Sequence, residues 1–139
     1  MGTEARPRPS VLVVNPDPVA RNRIVAVLAS QFDVTACASA AEALALLRIA
    51  RRHAMVVDAS LDKGGTSVEL LHACVAAGIA PATVMTTARG QIQTAVEALR
   101  EGFSDYVPEP FDDRLTQALL AALSSGSAAA AVALSPAAS

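Results

Sequence analysis

Apolar positions in this chain follow two rhythms, short continuous runs and longer stretches with apolar residues three and four apart. Val11-Leu12-Val13-Val14 is a run of the kind buried on both faces of a parallel sheet. Asp17 then offers a helix N-cap with Pro18 at the first helical position. Ile24, Val27 and Leu28 continue at helical spacing, which predicts a first helix ending near Ser30. A weaker strand is predicted over Asp33 to Cys37. Ser39 and Glu42 then form a capping box ahead of Leu44, Leu46 and Leu47, and this second helix is predicted to reach about Arg51.

The second half repeats the scheme. Met55 to Asp58 reads as a third strand. Thr66 and Glu69 make another capping box, opening a helix that carries Leu70, Leu71, Cys74 and Val75 and stops with Gly78 as C-cap. Thr83 to Thr86 is a fourth strand, and Ile92, Val96 and Leu99 are predicted to form the inner stripe of a fourth helix closed by Gly102. Asp105-Tyr106-Val107 gives a short fifth strand, and Leu115, Leu119 and Leu123 mark a last helix from about Asp112. Five strand-helix units in succession predict an α/β fold, a doubly wound five-stranded parallel sheet with five helices.

Composition narrows this picture. With 139 residues, 53% hydrophobic and only 3% aromatic, the chain fits one core built from Val, Leu, Ile and Ala. The net charge of -2, a single lysine (Lys63) and scattered arginines exclude a nucleic-acid footprint. The short cluster Arg48, Arg51 and Arg52 belongs near the end of the second helix, where the dipole favours cations. Cys37 and Cys74 form no Cys-x-x-Cys unit, so neither a zinc site nor a disulfide framework is suggested and a reducing cytoplasm fits. No segment is apolar enough to span a bilayer, so a cytoplasmic protein without membrane contact is expected. Residues 1–9, polar with two prolines, are expected to be disordered, residues 10–124 to fold, and the Ala/Ser-rich residues 125–139 to form a tail or linker with helical potential in Ala128 to Leu134. A DNA-binding output element is not expected after Leu123.

Chemistry gathers at the strand ends, which in such sheets open into the ligand crevice. Asp58 closes the third run, Asn15-Pro16-Asp17 follows the first, Thr86-Thr87-Ala88 the fourth, and Tyr106-Val107-Pro108-Glu109-Pro110-Phe111 the fifth. Taken in order, Val11 to Val14, Asp58, Thr87-Ala88 and Tyr106-x-x-x-Pro110-Phe111 resemble the receiver domain of bacterial two-component response regulators, a flavodoxin-like, CheY-like fold, over about residues 10 to 124. In that family two adjacent acids hold magnesium, an aspartate accepts a phosphoryl group, a Thr or Ser binds a phosphoryl oxygen, and a lysine completes the site. The resemblance implies Asp58 as phosphoacceptor, Thr87 as the phosphoryl-binding hydroxyl and Tyr106 as the switch aromatic. It also exposes departures: Asn15-Pro16 stands at the acid pair, Glu109 at the lysine and Asp62 at a usual proline. Asp17 matches a third, often acidic position, and the helix N-cap is the role favoured for it.

These substitutions leave Asp58, Asp17 and the Ser60 backbone carbonyl as weak magnesium ligands, so magnesium is expected to be weak or absent and no other cofactor is implied. Glu109 reverses a charge. At ~4 Å and an effective dielectric of ~20, a unit charge is worth about 4 kcal/mol, so attraction for the phosphoryl group becomes comparable repulsion. Glu109 could pair with Arg89 or join Asp17 around a cation, and Lys63 could neutralise Asp58. Glu109-Pro110 is a candidate cis peptide. The reading that follows is an atypical, non-enzymatic receiver signalling by protein contact through the fourth helix, fifth strand and fifth helix. Its partner would be a histidine kinase or an output protein, and homodimer formation is compatible with it. A conventional receiver phosphorylated on Asp58 is the alternative. A flavin- or nucleotide-binding protein is the third reading, opposed by a first loop with no glycine or hydroxyl run to cradle phosphate.

Overall fold

The computed structural model describes residues 8–61, 65–88 and 92–137, with side chains described for all of these except Ile92 and residues 126–137. Strands and helices alternate as β1 (Ser10–Val14), α1 (Pro18–Leu28), β2 (Asp33–Cys37), α2 (Ala40–Ile49), β3 (Ala54–Asp58), α3 (Ser67–Ala76), β4 (Ala82–Thr87), α4 (Ile92–Glu101), β5 (Asp105–Pro108) and α5 (Asp113–Ala137). Every strand pairing is parallel, in the order β2-β1-β3-β4-β5. Parallel neighbours need crossover helices, which is why each strand is followed by one. The winding reverses between β1 and β3, where such a sheet opens its crevice.

Local chemistry sets the helix starts. Asp17, in extended conformation, accepts the Val19 N–H at 3.1 Å, and Pro18 fixes the first helical turn of α1. At α3 the capping box closes fully: the Thr66 hydroxyl accepts from Glu69 N–H at 3.2 Å and the Glu69 carboxylate accepts from Thr66 N–H at 2.8 Å. The box expected at α2 is displaced. Ser39 Oγ accepts from Glu42 N–H at 3.2 Å, but the Glu42 carboxylate reaches back to the Ala38 N–H at 2.8 Å. Ser39 is more extended (φ -144°) than Thr66 (φ -82°), which brings the preceding amide within reach instead of its own. α2 also ends at Ile49, two residues short of Arg51, and the Arg52 guanidinium donates to the Ala50 carbonyl at 3.0 Å just past the helix.

Gly78 lies one residue beyond the α3 C-cap, Ala77, with φ 72°. Its N–H donates to Val75 O at 3.0 Å and that of Ile79 to Cys74 O at 2.9 Å, a Schellman closure that requires the left-handed region. A Cβ added at Gly78 would meet nothing within 4 Å, so only the backbone resists substitution. Gly78→Ala is therefore expected to lose about 1–2 kcal/mol. Urea denaturation checks this, and a loss near zero would mean that the turn relaxes to another conformation.

The core lies in two layers because strand side chains alternate across the sheet. Leu12, Val14, Met55, Val57 and Met85 face α2, α3 and α4, burying Leu47, Leu70, Leu71 and Cys74. Val11, Val13, Val56 and Val84 face α1 and α5, burying Ile24, Leu28, Leu115 and Leu119. α4 departs from expectation: Val96 is 44% and Leu99 53% exposed, while Ala98 is the buried residue. Ala98 and the half-buried Ala95 let the helix sit close, and Val96 and Leu99 lie about 100° or more around it from Ala98. The Ile92 side chain lies outside the described residues. Val75 on α3 is likewise exposed.

At the amino end residues before Ser10 join the fold, since Asp33 N–H donates to Pro9 O at 2.9 Å and the Arg8 guanidinium to Ala29 O at 2.8 Å. The rest of the N-terminal segment lies outside the described residues. At the other end α5 continues through the Ala/Ser-rich stretch to Ala137. Among the described residues, no helix is long and apolar enough to cross a membrane.

Candidate functional site

Asp58 ends β3 and is 6% exposed. Its register partner on β4 is Thr86, which sets the two side chains together at the carboxyl edge of the sheet. Thr86 Oγ1 donates to Asp58 Oδ1 at 2.8 Å. Ser60, two residues beyond Asp58, donates to Oδ2 from its backbone N–H at 3.0 Å and its hydroxyl at 2.5 Å. The ladder continues past the strand through Ala59 N–H to Thr86 O at 2.7 Å, which fixes the turn that carries Ser60. Both oxygens of the carboxylate are thus engaged by the chain's own donors.

Across the crevice Asn15 follows β1 and is only 1% exposed. Its Oδ1 accepts from Asp17 N–H at 2.9 Å, which fixes the orientation of the amide. The Nδ2 that remains is buried with no hydrogen-bond partner among the described residues. The Asn15 carbonyl accepts from the Arg21 guanidinium at 2.8 Å. Pro16 is exposed and offers no side-chain ligand. At the far side Glu109 follows β5 through a cis peptide to Pro110, and its N–H donates to Thr87 O at 3.0 Å.

Asn15, Asp17, Asp58, Ser60, Thr87 and Glu109 line one cavity of about 550 Å³, walled on its apolar side by alanines and Phe111. The structure thus brings together six of the residues singled out in the sequence. Pro16 is not among the lining residues, and Tyr106 is half-buried on edge strand β5, where it lines a separate cavity of about 480 Å³ with Pro108, Arg114 and Gln117. Asp62, Lys63 and Arg89 lie outside the described residues, so the expected Glu109–Arg89 pair and the Lys63 contact lie outside them too. Thr86 stood in the strand-end motif but had no role assigned from sequence. The signal for it was the pair Thr86-Thr87 at the end of an apolar run, since alternation sends adjacent strand residues to different surroundings.

The donor set bears on a metal ion. Asn15 Oδ1 is committed to an amide and Pro16 has no ligand atom, while magnesium asks for near-octahedral oxygen ligation. Among the described residues no group of three or more His, Cys, Asp or Glu side chains could hold a metal ion. These residues do not make up the two-acid cradle that the resemblance called for.

The fold and crevice define a receiver-type α/β protein, and comparison with known families agrees. The sequence matches the response regulator receiver domain family over residues 11–121. The chain belongs to that family, which takes precedence over the flavin- or nucleotide-binding alternative. Among solved structures it is similar to the receiver domain of the Francisella response regulator 1452, at 22% identity and TM-score 0.76, covering 86% of this chain and 99% of that one. A signal receiver domain from Vibrio parahaemolyticus is similar at 19% identity and TM-score 0.79, with 90% and 97% covered. NtrX from Brucella abortus is similar at 25% identity and TM-score 0.80, with 91% of this chain but 30% of NtrX covered. A comparison with curated proteins returns no match.

Proposed function

We propose that this receiver domain works by contact with a protein partner, a histidine kinase or an output protein, without turnover of an aspartyl phosphate. The observation that carries the reading is Glu109 in the same cavity as Asp58, a carboxylate at the position that matches the family's charge-neutralising lysine. Glu109 is exposed, so solvent screening brings the repulsion below the 4 kcal/mol scale, yet its sign stays wrong for holding a phosphoryl group. Asn15 and Pro16 add to this by withdrawing the carboxylates that would recruit magnesium. Phosphoryl transfer to an aspartate relies on such cations to neutralise developing charge.

The surface for the partner is the face formed by α4, β5 and α5. Both helices pack on β5, and the exposed Val96, Leu99 and Leu120 lie on them. The cavity lined by Tyr106, Pro108, Arg114 and Gln117 sits on the same face. Apolar side chains beside polar ones are what a protein contact uses. The second reading, phosphorylation on Asp58, is favoured by Asp58 and Thr87 lining one cavity.

One experiment separates the two. Intact mass is measured after incubation with a small phosphodonor and magnesium for the parent chain, Asp58→Ala, and the double variant Pro16→Asp/Glu109→Lys. The expected result is no adduct on the parent and an adduct on the double variant. An adduct on the parent that disappears in Asp58→Ala would establish the conventional reading instead.

A further inference from the structure

We propose that Thr86 is a positioning residue for Asp58, its hydroxyl forming the rigid half of a clamp that holds the carboxylate turned inward and slow to react with electrophiles in the crevice. The inference rests on the reading of Asp58 as an acid withheld from turnover, and it supplies a cause for that state beyond the missing cations.

The two halves of the clamp differ in kind. Ser60 is local: it lies two residues along an exposed turn and bonds Oδ2 as any Asx-type turn allows. Thr86 comes from 28 residues away on a buried strand, and the register of β3 with β4 leaves it no freedom to drift. It is 0% exposed and, unlike Thr87, does not line the cavity. Valine has nearly the same shape and would fill that space without a buried hydroxyl, so packing alone gives the oxygen no role. Its bond to Asp58 does, because a hydrogen bond to a carboxylate is among the stronger hydrogen bonds a neutral side chain can make.

An oxygen that accepts such bonds is a poorer nucleophile, since the attacking lone pair must first shed its donor. With Oδ1 held by Thr86 and Oδ2 by Ser60, each carboxylate oxygen carries this handicap. Releasing Thr86 should speed attack by about tenfold, the lower end of what a hydrogen bond to a charged group is worth.

The test uses the full chain, a water-soluble carbodiimide and a small amine, with labelled sites mapped by peptide mass spectrometry. The carboxylate oxygen adds to the carbodiimide carbon while a reagent nitrogen takes a proton from water, and the amine then displaces the neutral urea, losing a proton to solvent, to leave an amide. Asp33, exposed on an edge strand, serves as reference, and alkylation of the buried Cys74 reports whether the fold stays closed. Thr86→Val is expected to raise labelling of Asp58 relative to Asp33 about tenfold while Cys74 stays protected, and Thr86→Ser, which restores the hydroxyl, to return it to the parent rate. Equal labelling in Thr86→Val and the parent would overturn the proposal, and so would a rise that Thr86→Ser shares. Should Thr86→Val fail to fold, Thr86→Ala is read by the same criteria. No phosphodonor or partner takes part, so failure here leaves the contact reading to its own adduct experiment, and failure there leaves this result intact.

Discussion

Leu12→Ala is expected to remove about 3–5 kcal/mol of stability, the largest loss from a single substitution anticipated for this chain. Leu12 is 0% exposed and sits in the middle of β1, paired with Thr35 of β2 and Met55 of β3. Strands hold it on both sides and the α2–α3 layer covers it, so the cavity left by truncation has little room to collapse. Against a total stability of roughly 5–15 kcal/mol this is about a fifth or more, and the melting temperature should fall by about 10–20 °C. Leu120→Ala, at an exposed position on α5, should change stability by about 0.5 kcal/mol or less. Urea denaturation of the two variants decides the matter. Similar losses for both would mean that β1 is not the centre of the core.

The second large effect is one of pH. Burial, with the Glu42 carboxylate nearby adding to it, pushes the Cys37 thiol up from 9.0 to about 11, against the smaller opposing pull of the Ser39 backbone and two arginines. Below pH 9 the thiol is protonated in both folded and unfolded chains and contributes no slope. As pH rises from 9 to about 11 the unfolded thiol ionises while the folded one does not, so the unfolded state gains and stability falls. One pKa unit corresponds to about 1.4 kcal/mol, so the two-unit shift limits the contribution to about 3 kcal/mol, of which about 2 kcal/mol is lost by pH 11. Comparing denaturation of the parent and Cys37→Ala at pH 8 and pH 11 isolates it, because other alkaline groups cancel. A parent curve that falls no more steeply than the variant's would count against a buried, proton-bearing Cys37. Burial raises the Cys74 thiol as well, so both should resist alkylation at pH 8 until the chain unfolds.

How far the sequence carried this fold depends on which interactions decide each feature. The strands were legible because Val11 to Val14 and Met55 to Asp58 are buried on both faces and must be apolar throughout. Caps such as Asp17 and Thr66 were legible because they act over three residues. α4 was misread for the opposite reason: Ala98, the residue that meets the sheet, is small, while Val96 and Leu99 carry the stronger pattern and face outward. Periodicity identifies an apolar stripe and does not say what the stripe faces. At the site, Asp58, Thr87, Asn15 and Glu109 could be placed from strand ends alone and do share one cavity. Thr86 could be placed at a strand end too, but its bond to Asp58 could not, since it depends on register with a strand 28 residues away, and neither local propensity nor composition encodes register.

The strand order has a bearing on how the molecule keeps to itself. Among the described residues β2 and β5 are the borders of the sheet, and a border strand displays unmatched amides and carbonyls to any other chain able to lie alongside. β5 is four residues long, begins with a charged Asp105 and ends in Pro108, which has no amide to give, with Pro110 following soon after. A template so short, charged at one end and stripped of donors at the other is a poor seed for cross-β growth. β2 is five residues long and opens with Asp33, so the burden of preventing strand-by-strand polymerisation falls chiefly on that border.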